Sequence, residues 1–302
     1  MAPAATITAM GDADVVAVRH APGGEQETIG FIGRDRERIF AAAHLPAGRP
    51  RGVAIVCPAL YSEQLTNYRT EVLLARAMAS AGVACARFQY RGTGNSDDLH
   101  GDGLTFETMV EDASLVAQWL SDLAGEPVSD FIGVRLGALV AGNMAARRRG
   151  TGLCLIEPAL DGGRWLRELR RAQRAAALRR PSAPGEEARP PDGSGPFDAF
   201  GYRIEPSLAE SLSGRALSNE LGDTTPPLLL VQIAVVTELR RELAEWGEGR
   251  RLLGSPVRTV TIRQSRSWWF VPDAWETEEQ RPETAALTGA VVPWLAERQP
   301  VL

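Results

Sequence analysis

The chain has 302 residues, with 33 basic and 38 acidic side chains and a net charge of −5 at pH 7. Every basic residue is an arginine, which excludes Schiff-base chemistry, pyridoxal-phosphate enzymes and a phosphate loop built on lysine. The mild acidity argues against a nucleic-acid partner, because proteins that bind nucleic acids normally present a basic face.

Histidine and cysteine are scarce. The three histidines all lie at or before position 100, so no mechanism can take a histidine from the rest of the chain. Cys57, Cys85 and Cys154 each lie in an apolar run and share no metal-ligand spacing, which predicts buried thiols in a reducing compartment. We therefore expect neither a metal nor a cofactor.

The sequence has no apolar run of the roughly 18 residues that a membrane helix needs. The first residues carry acidic side chains where a signal peptide would carry basic ones. These features predict a soluble, cytoplasmic protein with no membrane partner. The arginine-only, alanine-rich composition indicates a GC-rich bacterial genome.

The N-terminal part reads as β-structure. Residues 14–18 are a weakly patterned strand, and residues 28–33 and 38–44 are two strands joined by a charged turn, which predicts a hairpin. Residues 52–57 form an apolar, β-branched run ended by Pro58, as in a strand buried on both faces.

Beyond this strand, helices and strands alternate. The predicted order is helix 70–81, strand 83–88, helix 106–120, strand 128–133, helix 136–148, strand 152–156, helix 163–180, strand 228–234, helix 238–253, strand 257–262 and helix 284–297. A Pro- and Gly-rich stretch at 181–196 predicts a loop. Such alternation predicts an α/β fold, with a mostly parallel sheet covered by helices on both faces and the hairpin at its antiparallel edge.

Four local features resemble the α/β-hydrolase fold. The glycine turn at 91–96 follows a strand, residues 59–69 occupy the position of the oxyanion loop, and an insert at 169–223 occupies the position of the helical cap. The segment Gly133-Val134-Arg135-Leu136-Gly137 has the outline of the nucleophile elbow between a strand and a helix. More narrowly, residues 58–69 and 133–138 resemble the exosortase A system-associated hydrolase-like proteins, in which arginine replaces the nucleophile.

The resemblance implies three parts. Residues 1–27 form an N-terminal extension, residues 28–168 and 224–302 form the α/β-hydrolase core, and residues 169–223 form the cap or lid. In this fold, ligands bind outside the carboxyl ends of the strands.

The sequence departs from the family at all three positions of the Ser-His-Asp triad. Arg135 stands in the elbow, and a guanidinium is permanently protonated and cannot attack a carbonyl. The stretch at 263–270, where the family carries its histidine, has none, and residues 234–236 supply no acid. We expect no ordinary ester hydrolysis.

Arg135 is the centre of the candidate site. It lies at a helix N-terminus, where N–H groups and the helix dipole favour an anion. A guanidinium at this position therefore predicts either a bound anion or an acidic partner side chain. Glu63 is the first candidate partner, with Glu157 and Asp161 behind it. Arg135 and Glu63 are the candidate catalytic pair. The alternative is a buried, purely structural ion pair.

Other side chains are candidates for the same pocket. His100 is a candidate base, although a lone loop histidine is more often solvated, and Ser62 or Cys57 would be replacement nucleophiles without a visible base. The expected substrate-binding residues are Tyr61, Ser62, Asn67, Leu136, Glu157, Trp268 and Trp269.

Three functions are compatible with these residues. The first is a non-covalent biosynthetic enzyme that catalyses cyclisation, elimination, isomerisation or decarboxylation of a small-molecule or carrier-bound acyl substrate through Arg135 and an acidic partner. The second is a catalytically silent pseudoenzyme that binds a ligand or forms a homo- or hetero-oligomer with another hydrolase-like protein. The third is an atypical esterase or thioesterase.

Overall fold

The computed structural model describes residues 13–33, 37–99, 103–177, 195–263 and 284–298. The strands are β1 (Ala13–His20), β2 (Gln26–Ile32), β3 (Ile39–Leu45), β4 (Gly52–Cys57), β5 (Val83–Phe88), β6 (Asp130–Val134), β7 (Gly152–Ile156), β8 (Phe197–Ala199), β9 (Tyr202–Ile204), β10 (Leu228–Ala234) and β11 (Val257–Arg263). The helices are α1 (Tyr61–Ser80), α2 (Phe106–Ala124), α3 (Gly137–Ala146), α4 (Gly162–Ala177), α5 (Pro206–Leu212), α6 (Leu217–Leu221), α7 (Arg241–Leu252) and α8 (Thr284–Arg298). None of the helices in the described ranges combines the length and apolar composition needed to cross a bilayer.

One large sheet organises the molecule. Its strand order is β1-β2-β3-β5-β4-β6-β7-β10-β11. The pairs β1–β2, β2–β3 and β3–β5 are antiparallel, whereas the strands from β5 to β11 pair in parallel. The predicted mostly parallel sheet with an antiparallel edge is therefore confirmed.

The core has one layer on each face of the sheet, as the side chains of β4 show. Val53 and Ile55 pack with apolar residues of α2 and α3, whereas Ala54 and Val56 pack with those of α1 and α8. All four side chains are fully buried, and successive side chains of a strand point to opposite faces. The continuous apolar run of this strand is thus explained by helices on both of its faces.

Helix α1 begins at Tyr61, so residues 61–69 are helical where the sequence predicted a loop. Residue 60, which precedes the first turn, is a leucine and makes no side-chain cap hydrogen bond. Sequence rules find helix starts through Ser, Thr, Asp or Asn caps, so this start carried no signal. Glu63 in the first turn is favourable for the helix dipole.

The segment between β7 and β10 forms a small unit of α4, β8, β9, α5 and α6. The sequence predicted its first helix but missed the others, which have at most seven residues each. Pro206 at the first turn of α5 was an available signal. The domain boundaries at 168, 223 and 27 stay a prediction, although β1 lies within residues 1–27 and joins the sheet.

A buried polar network crosses the antiparallel part of the sheet. Arg87 on β5 donates from Nε to His44 Nε2 at 3.2 Å and from Nη1 to the Tyr68 hydroxyl at 2.9 Å, and its Nη2 lies 3.4 Å from Glu27 Oε1. Arg76 holds the other oxygen of Glu27 at 2.8 Å. Burial first, and the Arg87 charge second, lower the pKa of His44 to about 4. This histidine is therefore neutral and structural at pH 7.

Candidate active site

The turn between β6 and α3 holds Arg135 in a left-handed conformation, with a φ of 51°. The backbone around it is fully engaged. Arg135 donates its N–H to Ile156 O at 3.1 Å, and its carbonyl accepts from the N–H groups of Ala138 and Ala159 at 3.1 and 3.0 Å. A positive φ is costly for a residue with a side chain and persists only where the surroundings impose it. The sharp strand-to-helix turn predicted from the sequence is present.

Two glycines make this turn possible. A Cβ on Gly133 would lie 2.5 Å from the Ala138 Cα, and a Cβ on Gly137 would overlap the carbonyl oxygens of Cys57 and Pro58. Both positions therefore require glycine because backbone approaches backbone there. The result fixes the Cα of Arg135 at the carboxyl edge of the parallel strands.

The guanidinium of Arg135 is held on three sides. Its Nε donates to Glu63 Oε1 at 3.1 Å and its Nη1 donates to the carbonyl of Glu157 at 3.1 Å. Its Nη2 lies 3.5 Å from Glu168 Oε2 on α4. The side chain is only 3% exposed. The ion pair with Glu63 that the sequence suggested is thus present, and α4 covers it from outside.

Glu63 is buried between Arg135 and a tryptophan. Its second oxygen, Oε2, accepts a hydrogen bond from the Trp165 indole at 3.0 Å. Burial raises the pKa of the Glu63 carboxyl, while the Arg135 charge and the Trp165 hydrogen bond oppose that rise. One turn later, Asn67 donates to the Glu63 carbonyl at 2.6 Å, and its own Oδ1 is buried with no hydrogen-bond partner among the described residues.

Glu157, the second candidate partner, binds Arg135 through its backbone carbonyl and pairs its carboxylate with Arg240. This residue also has a positive φ, of 47°. Its carboxylate accepts from the Ile233 N–H and pairs with Arg240, 2.5 Å away. Burial raises the pKa of Glu157, and the Arg240 charge opposes the rise. Asp161 instead caps the start of α4, accepting from the Arg164 N–H at 2.6 Å.

A small cleft lies over this network. Its volume is about 50 Å³, whereas pockets for drug-sized ligands measure about 300–1,000 Å³. Its charged lining is balanced, with three arginines and three acidic side chains, so an anionic ligand meets no excess of positive charge there. The lining residues are Arg135, Pro158, Ala159, Leu160, Asp161, Arg164, Trp165, Glu168, Arg240, Glu242 and Leu243.

The other predicted binding residues lie near the start of α1 or beside Arg135. Tyr61 packs against Tyr202 with ring centroids 5.2 Å apart and the rings tilted by 37°. Burial, helped by the Glu205 charge, raises the pKa of Tyr61 to about 12. Ser62 is partly exposed and Leu136 is fully buried. None of the three lines the cleft in the described part of the chain.

His100, Trp268 and Trp269 lie outside the described residues. Cys57 is fully buried, and burial raises its thiol pKa, which disfavours the nucleophilic thiolate. Within the described ranges, no group of three or more His, Cys, Asp or Glu side chains is arranged to hold a metal ion.

The sequence predicted helix 163–180 but none of the site residues that it contributes. Trp165 on α4 donates to Glu63, and Glu168 lies beside Arg135. Their spacing of three residues places both on one helix face, and a tryptophan inside an arginine-rich helix was the available signal. Arg240 was also missed because it meets Glu157 only through the tertiary fold.

Comparison with known proteins supports the fold and nothing finer. A scan against models of protein families finds no match, and a search of curated proteins finds none either. Solved structures do match. Est1E from Butyrivibrio proteoclasticus is similar with a TM-score of 0.59 and 17% identity, covering 89% of this chain and 98% of that one.

Two further structures give the same result. An S-formylglutathione hydrolase from Agrobacterium tumefaciens has a TM-score of 0.54 and 15% identity, covering 95% of this chain and 100% of that one. XC6422 from Xanthomonas campestris, described as an α/β serine hydrolase without a lid, has a TM-score of 0.52 and 18% identity, covering 97% of both chains. Together with the strand order and the turn at Arg135, these matches establish that the chain has the α/β-hydrolase fold.

Proposed function

We propose that this chain is a catalytically silent α/β-hydrolase-fold protein that works by binding, in which Arg135 locks the elbow instead of attacking a substrate. The observation that carries the proposal is the engagement of the Arg135 guanidinium by Glu63, the Glu157 carbonyl and Glu168. A group held on three sides at 3% exposure is built as a structural element. All three of these contacts are to the protein's own carboxylates and carbonyl, as a structural role requires.

The residue types around the elbow support the same reading. Ester hydrolysis in this fold requires a nucleophile, a general base and an acid that orients the base. Arginine stands in the elbow, the chain contains no histidine beyond position 100, and the turn after β10 carries the exposed residues Val235 and Val236. A cleft of about 50 Å³ would also be too small for an acyl chain.

A binding role implies a partner, and we propose an oligomer with another hydrolase-like protein, either a further copy or an active enzyme. The three cysteines are free and buried, which is compatible with a reducing compartment. We propose that this binding protein is located in the cytoplasm.

A ligand screen tests the proposal. Thermal unfolding of the wild type and of Arg135→Ala would be followed with carboxylates, phosphates, acyl thioesters and neutral esters, and turnover would be measured in parallel. We expect no turnover, no ligand-dependent stabilisation in either protein, and a lower melting temperature for Arg135→Ala. Stabilisation of the wild type by a ligand that is lost in Arg135→Ala would overturn the structural role, because a bound ligand stabilises only the state that binds it.

The second candidate is the non-covalent enzyme, and the observation that favours it is Glu168. This carboxylate is 35% exposed and lies 3.1 Å from Arg164 and 3.5 Å from Arg135, so a substrate carboxylate could take its place. Arg135 would then anchor or polarise the acyl group, and Glu63, whose pKa is raised by burial, would act as acid or base.

Glu168→Gln distinguishes the two candidates. If the chain is a non-covalent enzyme, acetate or a longer carboxylate should stabilise this variant more than the wild type, since the competing carboxylate is gone. If the chain is catalytically silent, these ligands should change the melting temperature of both proteins equally. Glu245→Gln, at a position 64% exposed on α7, is the matched control for loss of one negative charge. A fluorophosphonate or thiol probe tests the third candidate, an esterase acting through Ser62 or Cys57.

A further inference from the structure

We infer that the outer face of α4 is a docking surface for an acidic helix of a partner protein. Four arginines, Arg164, Arg167, Arg171 and Arg174, occur at positions i, i+3, i+7 and i+10 of this helix and are all exposed. We call this set the arginine stripe. It runs about 15 Å along the helix at 1.5 Å per residue. The inference is independent of whether Arg135 is silent or catalytic.

Within the described ranges, ion pairs neutralise only part of the charge of the stripe. Arg164 pairs with Glu168 and Glu242, and Arg167 lies 4.0 Å from Asp161. Among the described residues, no acidic group lies within ion-pair distance of Arg171 or Arg174. Like charges three and four residues apart destabilise a helix, so the stripe carries a cost in a chain whose net charge is −5.

The opposite face of the same helix is fixed to the protein. Trp165, Leu166 and Leu169 are buried in the core, and Gln173 accepts from the Phe200 N–H at 2.9 Å. The stripe is therefore presented on a helix that cannot rotate. A fixed row of guanidinium groups, one or two per turn, matches the carboxylates of a helix with acidic residues at the same spacing, and guanidinium and carboxylate pair bidentately.

Two other polyanions fit less well. A membrane-binding helix needs large apolar side chains beside its basic ones, but the exposed large hydrophobic residues of the described chain include none on α4. A nucleic acid is contacted through a broad basic footprint, whereas this surface is one row of four arginines. An acidic protein helix is the partner that the geometry favours.

The test uses two synthetic helical peptides of about four turns, with identical composition. One carries glutamate at i, i+3, i+7 and i+10, and the other carries the same glutamates scattered around the helix. Binding to the full chain would be measured by fluorescence anisotropy at low and at physiological salt. We expect the aligned peptide to bind more tightly than the scattered one, and salt to weaken it.

Variants connect that binding to the stripe. Arg167→Gln/Arg171→Gln/Arg174→Gln removes three charges from the stripe, and Arg147→Gln/Arg149→Gln/Arg241→Gln removes three exposed charges elsewhere. We expect the aligned peptide to bind the first variant about tenfold more weakly and the second like the wild type. Circular dichroism would confirm that both variants remain folded.

Three results would overturn the inference: equal binding of the two peptides, equal weakening by the two triple variants, or no binding at low salt. Stripe-dependent binding to phosphatidylserine vesicles or to single-stranded RNA that exceeds binding to the aligned peptide would also overturn it in favour of those partners. The ligand screen at Arg135 is a separate measurement, so failure of either proposal leaves the other standing.

Discussion

Two buried arginines of this protein occupy similar networks in regions with different surroundings. Arg135 at the elbow is bound by Glu63. Arg87, on β5 in the antiparallel part of the sheet, contacts His44 and Glu27. Both side chains are almost completely buried, at 3% and 6% exposure. Only Arg135 lines the cleft.

The comparison shows that a buried arginine network is not by itself a sign of chemistry here. The network of Arg87 connects β2, β3, β5 and α1 and reads as structural, yet its contacts resemble those at the elbow. What distinguishes the elbow is the covering helix α4, which contributes Trp165 and Glu168. Experiments should therefore compare the two networks directly.

The largest effect is expected for Arg135→Met. This change leaves Glu63 buried with the Trp165 indole but without its cation, so the free energy of unfolding should fall by about 3–5 kcal/mol. Urea unfolding would measure it. Adding Glu63→Leu should recover most of the loss, because an apolar pair can replace a buried ion pair. Arg241→Met, at a position 89% exposed, is the control. Equal losses of stability in Arg241→Met and Arg135→Met would contradict the structural role of Arg135.

The next effect concerns Glu71, a buried residue of α1, the helix that contributes residues to both networks. Its Oε1 has no hydrogen-bond partner within the described structure, and burial, opposed by the Arg87 charge, raises its pKa to about 8. The folded protein thus keeps a proton that the unfolded chain releases near its ordinary value of 4.5. Stability should fall as the pH rises from the unfolded value through 8.

Glu71→Gln isolates this titration because glutamine mimics the neutral carboxyl. We expect wild type and variant to have similar free energies of unfolding near pH 5, and the variant to be more stable by a few kcal/mol near pH 9. Urea unfolding across this range would measure the difference. Parallel curves for the two proteins would show that Glu71 is ionised in the folded state.

A smaller loss is expected for Arg87→Met. Glu27 keeps its contact with Arg76 at 2.8 Å, so this change leaves no carboxylate without a cation. The free energy of unfolding should fall by about 1.5–3 kcal/mol, the range for hydrogen bonds to charged groups. A loss larger than that of Arg135→Met in the same urea series would reverse the order of the two networks.

The smallest effect is expected for Glu168→Gln. Glu168 is 35% exposed and shares its carboxylate between Arg135 and Arg164, so solvent screens the pair. We expect a change within about 1 kcal/mol in urea unfolding. A loss as large as that of Arg135→Met would show that Glu168 is as important as Arg135 for the stability of the elbow.

The sequence predicted the sheet better than the site. The continuous apolar runs gave β4 and β5 with correct ends, since a strand buried on both faces leaves an unambiguous pattern. The helical character of residues 61–69 was missed because Leu60 is not a capping residue. The ion pair between Glu157 and Arg240 was not predicted, because it joins two strand ends distant in sequence.

The glycines at 133 and 137 have a consequence for how such chains change over time. Each is required by backbone contacts that exist whatever side chain stands at position 135. In a saturation library selected only for abundance, positions 133 and 137 should therefore tolerate no residue other than glycine. These backbone contacts place no such demand on the side chain at position 135. A sequence signature known for its chemistry can therefore be retained by folding alone.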